Sequence, residues 1–457
     1  MTRIPPAAAA TYPRRDGNRV RPLVDGEPAF RRICAAVRAA RRRVWVTVAF
    51  LDHDVQMPDG QGSFFDVLGR AAGRGIDVRA LFWREPELPR LAPASSHFAG
   101  TVDERGWLEA HGARLRARWD HLPRYCHHQK SWVIDAGEPG QLAFVGGINP
   151  DRGSVVPPGH PPRVGGPSVH DVYLEIAGPA STDVAHNFVQ RWNEASERGR
   201  PDGCWPDPGA ADDLPFPSRL AAPAGDAPVQ ITRTVRAGRY TSAIPAPGAA
   251  PFAIDAGETS ILEQYLAAID AAREGIYIEN QFLASVPVFA RIAAAVQRGV
   301  EVVIVLPGAP MPEVRAARAA SRTAPFFEAL AALGLRPNFT LAGLAATDPA
   351  GRRHEVYVHA KLMLIDDAWA TIGSTNILTR SFHADTELNA SVWHPPTVRA
   401  LRETLLLEHS GIDTGTMDVS SALQAFVESA AVRRDRRARG LATTGLAYAL
   451  DASTYGL

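Results

Sequence analysis

The hydrophobic pattern along this chain alternates between helical and strand periods, and the alternation occurs twice. An amphipathic, arginine-rich stretch that begins at Gly26 leads into an apolar run at residues 44–46. A similar stretch that begins at Gly257 leads into a second run at residues 276–278. In both halves another helical pattern and another short strand pattern follow. This alternation predicts an α/β fold in which helices cover a sheet, built from two duplicated units.

Length and composition fit this interpretation. A chain of 457 residues suits two domains of roughly 200 residues each, and 46% hydrophobic with 21% charged residues is typical of a globular protein. The pattern predicts an N-terminal tail, a first repeat, a Pro/Gly-rich linker, a second repeat and a C-terminal tail. Their predicted bounds are residues 1–20, 21–200, 201–228, 229–430 and 431–457.

Charge and hydropathy restrict the partners. The formal net charge is zero, so no overall field attracts nucleic acid or anionic lipid. No apolar stretch approaches the 18 residues or so needed to span a membrane, and the N-terminal residues do not resemble a signal peptide. These features predict a cytoplasmic protein, with peripheral contact to a lipid surface.

The two lysines of the chain carry the strongest chemical signal. Lys130 follows His128 by two positions and precedes Asp135 by five, and Lys361 has the same spacing from His359 and Asp366. Every other cationic residue of the Lys/Arg class is arginine. The retention of lysine at two matched places predicts a duplicated site.

Side-chain alternation in a strand places each histidine on the same face as its lysine. Asp135 and Asp366 lie an odd number of positions beyond the lysines, and we expect them to be structural, holding the strand end. A reacting histidine usually needs a carboxylate that fixes its tautomer. Asp171 and Glu387, which follow the two motifs, are the predicted orienting acids.

Two further segments follow the motifs at similar distances. The first contains Gly147 and Asn149, and the second contains Ser374 and Asn376. Glycine lets the backbone approach an anion, and asparagine offers an amide donor. Two imidazoles, two ammonium groups and two amides around one point suit a phosphodiester. One histidine attacks phosphorus, while the other protonates the leaving oxygen.

These residues resemble the phospholipase D superfamily, whose members with two lobes carry His-x-Lys-x4-Asp twice. The segments around residues 127–130, 144–148, 170–171, 276–282 and 358–381 are most similar to the eukaryotic-type phospholipase D catalytic core, and the resemblance covers roughly residues 20–410. It implies two α/β/α domains related by a pseudo-twofold axis, with one shared active site at their interface.

The resemblance also implies roles for the site residues. His128 becomes the nucleophile that forms a phosphohistidine, and His359 becomes the acid and then the base. Phosphate binding falls to Lys130, Lys361, Asn149, Asn376, Gly147 and Ser374. The chemistry of the superfamily needs no metal or other cofactor.

The expected substrate is a glycerophospholipid at a membrane surface, and the expected acceptor is water or a small alcohol. A nuclease of the same superfamily and a cardiolipin synthase-like phosphatidyltransferase are the alternatives. Neutral net charge makes nucleic acid a poor partner. Since both motifs lie in one chain, we expect no obligatory protein partner.

Overall fold

The computed structural model describes residues 2–85, 98, 100–111, 115–163, 165–196, 212–441 and 443–457. Part of the predicted linker, residues 201–211, lies outside this range, and residues 212–226 contain neither helix nor strand. Among the described residues, no helix combines the length and apolar character that crossing a membrane requires.

The first half alternates strands and helices as the pattern predicts. Its strands are β1 (Arg15–Val24), β2 (Arg43–Val48), β3 (Asp77–Arg84), β4 (Arg116–His121), β5 (Ser131–Ile134), β6 (Leu142–Gly146), β7 (Ser168–His170) and β8 (Val172–Ala177). Its helices are α1 (Gly26–Ala39), α2 (Phe64–Gly73), α3 (Val102–His111) and α4 (Ala180–Asn193).

The second half repeats the order with additional elements. Its strands are β9 (Ala227–Val235), β10 (Glu258–Thr259), β11 (Gly275–Glu279), β12 (Leu283–Ala284), β13 (Glu301–Val305), β14 (Phe339–Thr347), β15 (Arg353–Val358), β16 (Leu362–Ile365), β17 (Trp369–Gly373), β18 (Ile377–Leu378), β19 (Glu387–Val392) and β20 (Ala447–Leu450). Its helices are α5 (Ser260–Ala271), α6 (Val286–Gln297), α7 (Pro312–Ala319), α8 (Ala324–Leu333), α9 (Thr379–His383), α10 (Pro395–Ser410) and α11 (Val419–Ala438), and two short 3-10 turns lie at Ile254–Ala256 and Ser321–Thr323.

Strand pairing in the two halves follows one plan. Neighbouring strands in the first half run in the order β4, β3, β2, β5, β6, β8, β1. In the second half the order is β14, β13, β11, β16, β17, β19, β9. In each half the first three strands of that order are parallel. The α/β fold class is therefore confirmed, and the equivalent orders are what a duplication produces.

The two halves join at β1 and β9, which pair antiparallel through Arg15 with Val229 and Asn18 with Ala227. Strands on both sides of this junction are buried on both faces, as β8 of the first half and β13 of the second half show. Helices must therefore cover both sides of the sheet. α1 and α2 pack on one face of the first half, and α5, α6 and α8 do so in the second. A central core between them includes α4, α10 and α11.

The segments predicted as tails contribute to the fold at both ends. β1 begins at Arg15, inside the predicted tail 1–20, and the residues before it pack on the second half. The backbone N–H of Ala7 donates to the side chains of Gln230 and Gln264, at 2.9 Å in each case. At the other end, β20 pairs with β14. Both segments have few apolar residues in a regular period, so the pattern did not predict their burial.

Asp135 and Asp366 end the strands β5 and β16 in a left-handed backbone conformation, with φ of 53° and 51°. The carboxylate of Asp135 accepts hydrogen bonds from the backbone N–H groups of three consecutive residues at the start of β2: Arg41, Arg42 and Arg43. The carboxylate of Asp366 accepts three such bonds at the start of β11, from Arg273, Glu274 and Gly275. Each aspartate thus ties a motif strand to its neighbour in the sheet, remote from the reacting histidines.

Replacing either aspartate should destabilise the fold. Asp135→Ala and Asp366→Ala each leave backbone donors without their charged acceptor, and we expect a loss of about 2–4 kcal/mol in the free energy of unfolding. Urea denaturation measures this loss. Asp270→Ala is the matched control, since the side chain of Asp270 is 43% exposed and its contact with Arg291 is 3.4 Å. Equal stability of Asp366→Ala and the control would contradict the structural role.

Candidate active site

The two motif histidines lie in extended segments just before β5 and β16, and not within those strands as the sequence suggested. Each segment is held by backbone hydrogen bonds from the opposite half. The N–H of His128 donates to the carbonyl of Thr386 at 2.9 Å, and the N–H of His359 donates to the carbonyl of His170 at 2.9 Å. The ladder of the sheet is interrupted here because the motif backbone pairs across the interface between the halves.

Each histidine contacts a carboxylate that comes from the other half. The Nδ1 atom of His128 lies 3.0 Å from Oε2 of Glu387, and the Nδ1 atom of His359 lies 2.6 Å from Oδ2 of Asp171. Both carboxylates are buried, with exposures of 0% and 1%. The structure therefore brings the two predicted acids to the two predicted histidines in a crossed arrangement, which sequence order alone did not indicate.

The lysines fold back toward the histidines of their own motifs. Nζ of Lys130 donates to the backbone carbonyl of His128 at 2.7 Å, and Nζ of Lys361 donates to that of His359. Lys361 also lies 3.3 Å from the side-chain oxygen of Gln281. An ammonium group has three donors, so these contacts leave capacity for an anion. Both lysines are buried, so a charge on them is poorly screened by solvent.

Burial and the two lysines shift the pKa values of the histidines and carboxylates in the site. Burial and the ammonium groups of Lys130 and Lys361 lower the pKa of His128 and of His359 well below the ordinary histidine value. Burial raises the pKa of Glu387 to about 8 and that of Asp171 to about 7. Both imidazoles are therefore uncharged near neutral pH, and each carboxyl group takes up a proton more readily than it would in water.

Asn149 and Asn376 line one cavity together with His128 and His359. The side-chain oxygen of each asparagine is buried without a hydrogen-bond partner among the described residues. A matched pair of amides in the wall of a cavity, each incompletely satisfied, indicates a polar ligand.

Gly147 and Ser374, for which phosphate binding stays a prediction, contact the sheet and the two carboxylates. Their backbone N–H groups donate to the carbonyls of Val172 and Leu388 across the sheet. The hydroxyl of Ser374 donates to Glu387 at 2.5 Å. A Cβ atom on Gly147 would lie 2.3 Å from Oδ1 of Asp171. Both residues thus accommodate the orienting carboxylates, and glycine and serine are small enough to allow that approach.

The cavity has a volume of about 1220 Å³ and is lined by residues of both halves. It exceeds the range of about 300–1,000 Å³ that is usual for small-molecule sites. Its walls divide into two regions. The region beside α7 and α8, hereafter the apolar arm, is lined by Phe282, Leu283, Leu306, Val314, Phe326, Phe327 and Leu330. The remaining lining residues include the charged side chains of Asp52, Asp151, Arg152, Arg163, Arg380 and Asp385.

Sequence reasoning missed several residues that support the site. The buried side chain of Gln129 donates to the carbonyl of Glu387 at 3.1 Å and accepts from Asn187 at 2.8 Å. Gln281, which contacts Lys361, is also held by the hydroxyl of Tyr357. Gln281 and Gln129 stand in segments that the sequence analysis quoted as similar to the superfamily, yet neither has a spacing that indicates a role. Groups of His, Asp and Glu close enough to share a metal ion lie in a separate buried network around His170.

This chain is similar in sequence and in fold to several known proteins. Residues 265–406 match the family model described as "Cardiolipin synthase, PLD-like domain". Phospholipase D A of Dictyostelium discoideum is 25% identical over 82% of this chain. Cardiolipin synthase A of Pseudomonas fluorescens is 29% identical over 81% of it. The structure of a phosphatidylserine synthase from Haemophilus influenzae superposes with a TM-score of 0.55 at 13% identity, covering 92% of this chain and 95% of that one.

The curated relatives are longer proteins. The matched region spans 33% of the Dictyostelium protein and 64% of the Pseudomonas protein. Because the sequence identity is low, the structural match shows a similarity of fold alone. The family model and the sequence relatives confirm the resemblance of this chain to the phospholipase D superfamily.

Proposed function

We propose that this protein cleaves the headgroup phosphodiester of glycerophospholipids through a covalent phosphohistidine, and passes the phosphatidyl group to water or to an alcohol. The observation that carries the proposal is that His128 and His359 line one cavity with an apolar arm. Behind them lie the carboxylates of Glu387 and Asp171 and the two lysines that donate to the motif backbone. A phospholipid requires both parts: a cationic site for the phosphate and a dry region for the acyl chains.

His128 is the proposed nucleophile. Its Nδ1 shares a proton with Glu387, so the opposite ring nitrogen, Nε2, keeps its lone pair for attack on phosphorus. The lowered pKa of His128 keeps this nitrogen unprotonated near neutral pH. The P–Nε2 bond forms as the bond from phosphorus to the headgroup oxygen breaks.

His359 is the proposed acid. In the free protein its pKa is lowered by burial and by both lysines. A bound phosphodiester brings one negative charge between the lysines, which offsets their effect and favours a proton on His359. That proton goes to the leaving headgroup oxygen. In the second step neutral His359 takes a proton from water or an alcohol, whose oxygen attacks phosphorus and releases His128.

Lys130, Lys361, Asn149 and Asn376 are the proposed ligands of the non-bridging oxygens. Their charge and dipoles are fixed before the substrate binds, so the negative charge of the transition state is stabilised without reorganisation. Asp171 and Glu387 orient the two imidazoles and hold their tautomers. Asp135 and Asp366 set the strand ends and do not contact the substrate.

Transfer to an alcohol is the second candidate outcome, and the family model named for cardiolipin synthase favours it. Both outcomes share the intermediate and differ in the acceptor. The nuclease alternative lacks such support, because the net charge is zero and the apolar arm offers no contact to a phosphate backbone.

Purified protein incubated with phosphatidylcholine vesicles and ethanol should form phosphatidic acid and phosphatidylethanol. His128→Ala and His359→Ala should abolish both products, measured by chromatography of the lipids. His354→Ala on β15 is the matched control, since that side chain is 39% exposed, and it should keep both activities. Cleavage of single-stranded DNA without any consumption of lipid would replace this proposal with the nuclease.

The same two histidine variants should behave differently on a substrate whose leaving group needs no general acid. With phosphatidyl-p-nitrophenol, His359→Ala should release about one p-nitrophenolate per active chain and then stall, because the intermediate lacks its general base. His128→Ala should release none. Rapid mixing with absorbance detection measures the burst. A full burst in His128→Ala would contradict its assignment as nucleophile.

The apolar arm should set the preference for long acyl chains. Val314 on α7 lines the arm, and Val314→Asp places a charge there, which we expect to lower activity on long-chain phosphatidylcholine about 10–100-fold. Activity on bis(p-nitrophenyl) phosphate should change little. Ala316→Asp, on the exposed side of the same helix, is the control. Equal losses in both variants and on both substrates would exclude an acyl site here.

Anion binding should weaken as the pH rises, because burial lowers the pKa of Lys361 to about 7. The ammonium form is present below that pKa and is lost above it, so inhibition by sulfate should fall up to tenfold per pH unit above pH 7. Inhibition constants measured from pH 5 to pH 9 test this. In Lys361→Arg the guanidinium stays charged, and the alkaline decline should shift to higher pH. An unshifted decline would assign it to another group.

A further inference from the structure

A second cluster of ionisable side chains lies behind the candidate active site. It consists of Asp25, His160, His170 and Glu408, and we refer to it as the His160 cluster. The first three residues are 0–1% exposed, and the side chain of Glu408 is 11% exposed. None of the four has a role in the proposed reaction, and His160 and Glu408 come from segments that the sequence analysis did not single out.

The cluster joins the two halves of the chain. Asp25 follows β1, His160 lies in the loop before β7, and His170 ends β7, whereas Glu408 lies on α10 of the second half. The loop that carries His160 is fixed in place, because the N–H of Glu27 donates to the carbonyl of Val156 at 3.1 Å. The fold therefore fixes the position of the cluster, although His160 lies in a loop.

The four side chains converge on a small volume. Oδ1 of Asp25 lies 2.8 Å from Nδ1 of His170 and 3.2 Å from Nε2 of His160. Nε2 of His160 lies 3.5 Å from Oε1 of Glu408. In tetrahedral zinc sites with bonds of about 2.0–2.1 Å, neighbouring ligand atoms are about 3.3 Å apart. The observed separations scatter around that edge length.

Several polar atoms of the cluster have no hydrogen bond. Both ring nitrogens of His160 and Oδ2 of Asp25 are buried without a hydrogen-bond partner among the described residues. Nε2 of His160 is close to two carboxylate oxygens but is not aligned to donate to either of them. A buried imidazole that points at carboxylates without bonding them is costly unless a further group lies between them.

His170 shows the arrangement typical of a metal-bound histidine. Its Nδ1 faces Asp25, and its Nε2 lies 2.8 Å from Oε2 of Glu279 on β11. Metal-ligating histidines usually donate their second N–H to a carboxylate, which fixes the ring and its tautomer. Glu279 is itself held by the hydroxyl of Tyr277 at 2.6 Å.

The charge of this region also favours a cation. Within the described residues, no lysine or arginine forms an ion pair with Asp25, Glu279 or Glu408. Two nitrogens and two carboxylate oxygens suit Zn²⁺ and not Ca²⁺ or Mg²⁺, which prefer oxygen ligands alone.

We propose that Asp25, His160, His170 and Glu408 bind one structural Zn²⁺ ion that clamps the two halves beside the active site. Nε2 of His160, Nδ1 of His170, Oδ1 of Asp25 and Oε1 of Glu408 supply the ligands, and both imidazoles bind as neutral rings with their protons released to solvent. The ion takes no part in phosphoryl transfer. It holds the backbone of His170, whose carbonyl accepts from the N–H of His359 and whose neighbour is Asp171.

Metal content tests the proposal independently of lipid turnover. The protein is freed of metal with a chelator, loaded with Zn²⁺ or Co²⁺, and dialysed. Mass spectrometry of the metal then measures how many ions each chain retains. We expect one ion per wild-type chain, and a thermal midpoint that rises on addition of Zn²⁺. His160→Ala and the conservative Glu408→Gln should lose both effects. Glu279→Gln should weaken binding about 10–100-fold.

His383→Ala is the matched control, because His383 is an exposed histidine at the end of α9, and it should bind one ion. Circular dichroism establishes that each variant is folded. Folded wild-type protein that retains no metal would overturn the proposal and leave His160 and His170 as buried imidazolium ions. Stoichiometric binding in both His160→Ala and Glu408→Gln would overturn it as well, since the ion would then lie elsewhere.

Discussion

The crossed hydrogen bonds between the two halves are the constraint on which the site depends. His128 relies on Glu387, and His359 relies on Asp171, so each half holds one member of both pairs. The same crossing recurs in the backbone, where each motif segment is tied to a carbonyl of the opposite half. Neither half contains a completed pair. The interface between the halves is therefore the site itself, and any change in their relative position alters both pairs at once.

This arrangement explains why so much charge is buried in one place. The two lysines repel each other, and burial together with their charge lowers the pKa of both histidines. Burial raises the pKa of the two carboxylates. The two ammonium groups favour an anion beside them, and a phosphodiester carries one negative charge. The fold holds all four carboxylates in place: the backbone binds Asp135 and Asp366, Val172 N–H donates to Asp171, and the hydroxyl of Ser374 donates to Glu387. Two sets of carboxylates thus have separate places, with Asp135 and Asp366 at the strand ends and Asp171 and Glu387 beside the histidines.

The sequence predicted the α/β class and the residues of the site because both depend on local features. Periodicity identifies strands such as β2 and β11, and the rarity of lysine isolates Lys130 and Lys361 from the background of arginine. The crossing of the pairs depends on how the halves pack, which no local spacing records. Gly147 and Ser374 were assigned to phosphate because their small size was attributed to the ligand, whereas the carboxylates occupy that space. His160 stands alone in a loop rich in proline and glycine, and only tertiary structure brings it to Asp25 and Glu408.

The first residues of the chain bear on the order in which it folds. Ala7 and Thr11 bind Gln230, Gln264 and Glu258, which are more than 220 positions away. During synthesis, residues 2–14 therefore leave the ribosome long before their partners in the second half have been made. The first half can pair β1 with β8 while residues 2–14 wait for the second half. Docking of that segment, together with closure of the crossed pairs, belongs to a late step after translation of the second half. The pair of His128 and Glu387 forms only once β19, which begins at Glu387, has been synthesised.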